Sequence, residues 1–246
     1  MESKINRYSK QLILINSFFI LAWLVVSVFP FIWTFWGSFK VKADFFSRAD
    51  WMFAVTGVNT LIETGDTSTV KAYVESWTEG EFWKATMNTV IITVSVVTIS
   101  LFLGTLGAYA LSRSTYKYTF WILIAALIFR AMPHITLVSG YLFPFFQLNV
   151  WGILPTTIIV LVAINQPFTL WLLYSFFKTV PKELDESALI DGCSYFQAFR
   201  FVIMPVMWPG VVTAGLFSMM LAYNDFTVTS LLLNQQNYTM VPKINA

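Results

Sequence analysis

The stretch Pro181-Lys-Glu-Leu-Asp-Glu-Ser-Ala-Leu-Ile-Asp-Gly192, which continues through Cys193 to Pro205 and Pro209, decides the fold of this chain. It holds the densest cluster of charged side chains in the sequence, between long runs that carry almost no charge. A charged side chain is costly inside a lipid bilayer. The stretch must therefore lie in water between two membrane-spanning helices, where another protein can contact it.

The composition is that of a membrane protein. Hydrophobic residues make up 57% of the 246 residues and charged residues only 11%, compared with roughly 25% in a typical soluble domain. Four runs contain no Asp, Glu, Lys or Arg: 11–39, 85–112, 131–177 and 201–224. Each run is longer than the roughly 20 residues that cross a bilayer as a helix. One soluble core cannot bury all four, so we predict an all-α protein that crosses a membrane several times.

Other features of the composition limit the partners and the chemistry. The net charge of +2 is too small to indicate nucleic-acid binding, and the basic residues do not form one patch. Cys193 is the only cysteine, so the sequence has no internal disulfide. His134 is the only histidine, and no cluster of carboxylates accompanies it, so we expect no metal site.

The apolar runs predict five membrane spans, at about 12–36, 85–111, 119–142, 154–177 and 207–232. These spans divide the chain into three parts. We expect an N-terminal tail with the first span at 1–36, an external loop at 37–84 and a core domain at 85–246. The core domain contains the charged loop at 178–206.

The basic residues orient the chain. With the N-terminus in the cytoplasm, the inner segments are 1–11, 112–118 and 178–200. They carry eight basic side chains: Lys4, Arg7, Lys10, Arg113, Lys117, Lys178, Lys182 and Arg200. The predicted external loop, in contrast, holds more acidic than basic residues. Because short loops rich in Lys and Arg stay on the cytoplasmic side, we expect the charged loop to face the cytoplasm.

The charged loop has the pattern of a short helix that ends at a glycine. Pro181 suits the first turn of a helix, because the backbone N–H that proline lacks would have no intrahelical partner there. The acidic residues that follow favour the positive end of the helix dipole. Leu184, Ala188 and Leu189 give the helix a narrow apolar face. Gly192 suits the position after the helix, where φ is positive.

A second helix is predicted to begin at once. Ser194 and Gln197 have the spacing of a capping box, in which each side chain bonds the backbone N–H of the other residue. Pro205 and Pro209 are predicted to bend this helix as it enters the membrane. We expect a helix, a glycine elbow and a second helix below the bilayer. The alternative is an ordinary cytoplasmic loop that lies on the lipid surface.

The residues of this loop resemble a family motif. Glu186-Ser-Ala-Leu-Ile-Asp-Gly192, followed by Ile203-Met-Pro205, is similar to the EAA motif in permease subunits of binding-protein-dependent ABC importers. Other stretches resemble the carbohydrate-uptake branch of that family, which includes the second maltose permease subunit: Ser38-Phe-Lys40, Ala108-Tyr-Ala-Leu-Ser-Arg113, Arg130-Ala-Met-Pro133 and Tyr223-Asn-Asp-Phe226. Each is a weak signal alone, but together they follow the family's order along nearly the whole chain.

The resemblance implies the transmembrane domain of a type I ABC importer and gives the charged loop a role. In such importers this loop docks on a separate cytoplasmic ATPase, whose ATP-driven closure switches the permease between inward- and outward-facing states. The motif places five residues in this coupling: Glu186, Ala188, Asp191, Gly192 and Pro205. The sequence has no Gly-x-x-x-x-Gly-Lys-Ser/Thr phosphate loop. We therefore expect no cofactor on this chain, and ATP and Mg²⁺ on the partner ATPase.

The resemblance also implies the rest of the assembly. We expect two copies of the ATPase subunit, a second permease subunit in a heterodimer, and an extracytoplasmic solute-binding protein, in the plasma (inner) membrane of a bacterium or archaeon. The expected solute is a sugar or oligosaccharide. The family has six spans, so five spans predict a truncated or incompletely represented chain rather than one that works with five.

Four polar residues inside the predicted spans are candidates for the solute path: Arg130, His134, Asn224 and Asp225. Ionisable groups within a membrane span are costly and often functional. For Arg130, the alternative is a position near a helix end, from which its side chain reaches the headgroups. We expect the polar pair Asn165 and Gln166 to bond neighbouring helices instead.

Two other functions remain open at this stage. The same fold can carry another solute, such as glycerol phosphate or a polyamine. A membrane enzyme would need a clustered catalytic set, which one His, one Cys and no paired intramembrane carboxylates do not supply. We therefore expect a transport subunit with no catalytic residue.

Overall fold

A computed structural model describes residues 2–38 and 68–245 of the protein. The helices of these ranges are α1 (Glu2–Gly37), α2 (Ser68–Thr78), α3 (Phe82–Arg113), α4 (Tyr118–Ala131), α5 (His134–Gln147), α6 (Leu154–Thr179), α7 (Glu183–Ile190), α8 (Tyr195–Gln197), α9 (Met204–Tyr223), α10 (Thr227–Leu232) and α11 (Met240–Ile244). A π-helical turn, Ala198–Ile203, joins α8 to α9. Within the described ranges the only β-type pairing is an isolated bridge between Gly152 and Leu233. The prediction of an all-α fold is confirmed.

The long helices match the predicted number of membrane spans. Four helical segments in the described residues are long and apolar enough to cross a membrane: Leu12–Phe35, Phe82–Arg113, Leu154–Thr179 and Tyr195–Tyr223. The pair α4 and α5 makes a fifth candidate, although these two helices meet at an angle of 86°. The prediction of about five spans is confirmed.

One predicted span is broken at its proline, and another begins earlier than predicted. The third breaks into two helices at Met132 and Pro133. Met132 has extended backbone angles (φ −69°, ψ 143°), because the ring of the following proline disfavours the helical conformation before it. The fifth begins at Tyr195 rather than at 207, and it ends at Tyr223. The charge of Arg200 hides the start of this span in the sequence.

The first compact unit of the chain is formed within residues 1–80 and contains α1 and α2. The apolar side chains of α1 are exposed nearly all round between Leu12 and Phe35, as expected for a helix whose surroundings are lipid. Most of the predicted external loop at 37–84 lies outside the described residues. Its last part contains α2 and the first residues of α3.

The second unit is formed by residues 81–246, and α3, α6 and α9 pack against one another in it. Small residues permit this close approach, as in other membrane helix pairs. A Cβ atom on Gly104 of α3 would lie only 3.1 Å from side-chain atoms of Thr169 and Leu173 in α6. A Cβ atom on Gly210 of α9 would lie 2.9 Å from the ring of Phe176. Larger side chains would force these helices apart.

The polar pair in α6 lies between helices. The side-chain amide of Gln166 donates a long hydrogen bond to the backbone carbonyl of Ser100 in α3, 3.5 Å away. Asn165 is buried beside it, and its backbone carbonyl accepts a hydrogen bond from Thr169 Oγ1 (3.3 Å). The predicted bond between neighbouring helices is confirmed for Gln166.

Two apolar clusters fill the second unit. One surrounds Ile92, Leu161 and Leu232. The other contains Phe177 and Ile203, which are both fully buried, and it lies where α6 ends and the π-helical turn begins. The end of α6 precedes the charged loop and the π-helical turn closes it, and both contribute side chains to this second cluster. The cluster therefore supports the loop.

The polar segment at 234–245, which follows α10, is attached to the start of α3. The backbone N–H of Met240 donates to Thr89 Oγ1 (2.9 Å), and the amide of Asn88 donates to the carbonyl of Tyr238 (3.3 Å). The segment also contains the short helix α11. Its described residues are therefore part of the folded unit.

Candidate functional site

The charged loop contains the short helix α7, which ends at the predicted glycine elbow. Gly192 has a φ of 86°. Its N–H donates to the carbonyl of Leu189 (3.1 Å), and the N–H of Cys193 donates to the carbonyl of Ala188 (3.0 Å). These two bonds form a Schellman motif, which satisfies carbonyls that the helix end leaves without partners. The predicted positive φ at Gly192 is confirmed.

The start of α7 differs from the prediction. The helix begins at Glu183, so Pro181 precedes its first turn, and the prediction for Pro181 is wrong. The carbonyl of Lys182 accepts a hydrogen bond from the N–H of Glu186 (3.1 Å). Lys182 therefore takes the cap position, and the acidic residues after it occupy the first turn, at the positive end of the helix dipole.

The second helix begins with the predicted capping box. The N–H of Gln197 donates to Ser194 Oγ (3.3 Å), and the N–H of Ser194 donates to Gln197 Oε1 (2.8 Å). Only Cys193 separates this cap from the elbow. The chain therefore changes direction between α7 and α8 without a longer linker.

The helix that returns to the membrane contains a π-helical turn that sequence reasoning missed. The turn covers Ala198–Ile203, and α9 follows it with Pro205 in its first turn. A proline lacks an N–H, and its ring crowds the carbonyl four residues earlier, which here is that of Phe201. The wider turn relieves this crowding. A proline shortly after a capping box is the sequence signal that points to it.

The predicted coupling residues lie on different sides of the loop. Glu186, Asp191 and Gly192 are exposed on α7 and the elbow, whereas Ala188 is only 5% exposed and faces the protein. Pro205 is exposed in the first turn of α9, on the other side of the π-helical turn. The structure thus brings three of these residues together on one short element, with Ala188 behind them.

Ile190 is a further exposed residue of α7, and sequence reasoning left it out. Its side chain is 86% exposed, beside Asp191 and Gly192. It lies two positions after the buried Ala188, a rotation of about 200° that places it on the opposite side of the helix. An apolar side chain surrounded by polar ones is the usual centre of a small protein interface. The helical spacing from Ala188 was the signal that could have found it.

Two side chains of α3 connect that helix to α7. The hydroxyl of Tyr109 donates to Asp185 Oδ1 at 2.5 Å. Arg113 Nε lies 2.8 Å from Asp185 Oδ2, but its N–H does not point at that oxygen, so the contact is an ion pair rather than an aligned hydrogen bond. Sequence reasoning missed this link. The sequence signal for this link was the position of Asp185, which lies three positions before Ala188 and therefore on the same, buried face of the helix. A carboxylate on a buried face needs a partner.

Three of the four residues predicted for the solute path meet near the break of the third span. Arg130 Nη1 and His134 Nε2 lie 2.7 Å apart across the break between α4 and α5. Asp225 interacts electrostatically with both of these side chains. Its Oδ1 also accepts the N–H groups of Val228 (2.8 Å) and Thr229 (3.1 Å), and so it caps α10.

Asn224, the fourth residue, is exposed at the end of α9. Its side-chain amide donates to the carbonyl of Met220 (2.8 Å), one turn earlier in the same helix. Across residues 2–38 and 68–245, no group of three or more His, Cys, Asp or Glu side chains is placed to hold a metal ion.

An all-helical fold with several candidate membrane spans, and a capped helix between two of them, is that of a polytopic membrane protein. Residues 11–245 match the family of binding-protein-dependent transport system inner membrane components, and the chain belongs to that family. The protein is the permease subunit of a binding-protein-dependent importer. It is a multi-pass membrane protein and a transport subunit, not an enzyme.

Relatives of known transport systems match most of the chain. A diacetylchitobiose uptake system permease protein of Streptomyces coelicolor is 29% identical over 229 residues, which cover 89% of this chain and 68% of the relative. A trehalose/maltose transport system permease protein of Thermococcus litoralis is 30% identical over 236 residues, which cover 95% of this chain and 79% of the relative. These matches confirm the resemblance to the carbohydrate-uptake branch.

A solved structure has the same fold. It is the crystal structure of a bacterial ABC transporter involved in the import of the acidic polysaccharide alginate, and one of its chains superposes with a TM-score of 0.72 at 20% identity. The match covers 94% of this chain and 77% of the other. The expected fold of an ABC importer permease is confirmed.

Proposed function

We propose that this permease subunit imports a sugar or oligosaccharide. The observation that carries the proposal is the similarity, over 89% and 95% of the chain, to permeases named for diacetylchitobiose and for trehalose and maltose. Diacetylchitobiose, trehalose and maltose differ in chemistry, but all three are small oligosaccharides. Glycerol phosphate and polyamines are the competing solutes.

The ATPase subunit docks on α7 and the elbow in this proposal. The supporting geometry is a capped helix whose exposed side presents Glu186, Ile190, Asp191 and Gly192. The buried Ala188 lets α7 lie close to the π-helical turn behind it, and Pro205 fixes the start of α9. Glu186, Ala188, Asp191, Gly192 and Pro205 are thus coupling residues, two of them by supporting the surface rather than by forming it.

The remaining partners follow from the family name and the charge pattern. Two ATPase subunits carry the ATP and Mg²⁺, a second permease subunit completes the pathway as a heterodimer, and an external binding protein delivers the solute. The N-terminus and the charged loop lie in the cytoplasm, because the basic residues are concentrated there. Residues 1–36 form the N-terminal tail and first span, 37–84 the external loop, and 85–246 the core permease domain.

The cluster at the break of the third span belongs to the solute path in this proposal. Arg130 and His134 are partly exposed, and Asp225 is near both. A broken helix inside a membrane protein is tolerated where it faces other protein or a water-filled cavity. Hydroxyl-rich solutes can exchange hydrogen bonds with such groups as they pass, and Asn224 extends the polar surface at the end of α9.

Uptake by whole cells tests the choice of solute. A strain that lacks this gene is compared with the same strain complemented by it, and the labelled probes are diacetylchitobiose, maltose, trehalose, glycerol 3-phosphate and putrescine. We expect complementation to restore uptake of at least one of the three disaccharides. Restored uptake of glycerol 3-phosphate or putrescine alone would contradict the proposal.

A further inference from the structure

We propose that Tyr109, Arg113 and Asp185 form a positioning joint that fixes α7 to the ends of α3 and α6. When an ATPase subunit displaces α7, the joint transmits the movement to these two membrane-spanning helices. This inference rests on the proposed docking of the ATPase on α7. It adds the residues through which the docked subunit moves the membrane part.

Both carboxylate oxygens of Asp185 are held by side chains of α3. Oδ1 accepts the hydroxyl of Tyr109 at 2.5 Å, and Oδ2 lies 2.8 Å from Arg113 Nε. Tyr109 and Arg113 are one helical turn apart on the same face of α3. The carboxylate is therefore fixed at two points, and interactions that involve a charged group are stronger than neutral hydrogen bonds.

Arg113 extends the joint to α6. Its Nη1 donates to the carbonyl of Val180 (3.0 Å) and to that of Phe177 (3.3 Å) at the end of that helix. The last carbonyls of a helix lack intrahelical partners and accept such donors. One guanidinium thus contacts three segments: α3, which carries it, the end of α6, and α7 through Asp185.

The joint is shielded from water. The side chains of Arg113 and Asp185 are 16% and 13% exposed. The ring of Tyr109 packs against Phe177 and Phe199, with ring centroids 5.7 Å and 4.8 Å away. Charges interact more strongly where little water surrounds them. Removing one partner of a buried pair leaves the other charge uncompensated, so a neutral replacement loosens the joint far more than it would a surface ion pair.

The length of α7 explains why a joint is needed. The helix has eight residues, and isolated helices shorter than roughly 12–15 residues are marginal in water. Tertiary contacts must therefore hold it in place. Its apolar contacts through Leu184 and Ala188 are non-directional and permit sliding. A carboxylate held at two points resists sliding, so a force on the exposed side of α7 reaches α3.

The test uses the complete importer, reconstituted with its ATPase subunits, second permease and binding protein. The probe is whichever labelled disaccharide the wild type imports best among diacetylchitobiose, maltose and trehalose. For Asp185→Asn we expect the ATPase to remain bound, and the solute moved per ATP hydrolysed to fall at least about tenfold, since the carboxylate charge that pairs with Arg113 and strengthens the Tyr109 hydrogen bond is lost. Adding Tyr109→Phe to that variant lowers the ratio little further, because both changes break the same joint.

The ratio of uptake to ATP hydrolysis separates a joint from a merely structural contact. If Asp185→Asn lowers both rates together, or leaves their ratio unchanged, the inference is overturned. Tyr116→Phe is the matched control, because Tyr116 is 75% exposed just after α3. We expect this variant to keep the wild-type ratio of uptake to ATP hydrolysis. Failure of the docking proposal has a different signature: Gly192→Trp then keeps both the bound ATPase and the uptake, whatever the joint variants do.

Discussion

Substitutions at Gly192 separate backbone strain from contact with a partner. Gly192 has a φ of 86°, and a Cβ atom there would have no heavy atom of the described residues within 4 Å apart from its chain neighbours. Alanine therefore meets only the penalty of the left-handed conformation, about 1–2 kcal/mol. A penalty of this size changes the population of the native elbow by at most a factor of roughly 5–30. Asparagine, which tolerates this conformation better, is expected to cost less.

Tryptophan at the same position adds a large side chain that points into open space. Its backbone penalty is similar to that of alanine, so any larger loss of uptake comes from a partner that occupies the space. We expect Gly192→Trp to abolish uptake and to release the ATPase, while Gly192→Ala keeps a measurable fraction of both.

The assay measures uptake of the labelled disaccharide, ATPase that co-purifies with the tagged chain, and the amount of chain in the membrane. Gly152→Ala is the matched control, because Gly152 has nearly the same φ of 84° and lies outside the charged loop. Its new Cβ atom meets only the movable side chain of Asn234 at 3.1 Å. Equal uptake in Gly192→Trp and Gly192→Ala, at equal membrane levels, would refute the reasoning.

Two further predictions concern the support of the loop. Ser194→Ala removes one half of the capping box and is expected to lower the free energy of unfolding by about 1 kcal/mol. Thermal unfolding of the purified importer should show this small decrease in stability, with the ATPase still bound. Loss of the ATPase would contradict a purely capping role. Gly210→Ala places a Cβ atom 2.9 Å from the ring of Phe176 and is expected to destabilise the protein by about 1–3 kcal/mol through overpacking. Gly140→Ala is the control, because its Cβ atom meets no heavy atom of the described residues within 4 Å beyond its chain neighbours and its own helix backbone. It should not lower the unfolding temperature, and equal decreases for the two alanines would contradict the packing between α6 and α9.

Local rules were enough to predict the ends of the helices in the loop. A glycine after an apolar face and the Ser194–Gln197 spacing depend on neighbouring residues only, so the elbow and the capping box follow from sequence. The apolar runs likewise predict the spans, because a bilayer sets their length. The start of the fifth span was misplaced because one charged residue, Arg200, interrupts its apolar pattern.

Features that depend on distant parts of the chain could not be predicted. Tyr109 and Asp185 are 76 positions apart, and no periodic pattern connects them. Pro133 indicates a break in the third span, but no local rule gives the angle of 86° between α4 and α5. The apolar face of α7 that includes Ala188 was predicted, but the sequence did not indicate that the π-helical turn packs against that face.

The central claim is that the exposed side of α7 contacts the ATPase subunit. Site-specific photocrosslinking tests it directly, with a benzophenone amino acid in place of Ile190, which is 86% exposed. The control carries the same group in place of Leu148, which is 70% exposed. Leu148 lies in the connection before the start of α6, whereas the charged loop follows the end of α6. We predict an adduct with the ATPase from position 190 and none from position 148. No ATPase adduct from position 190, or equal adducts from both positions, would contradict it.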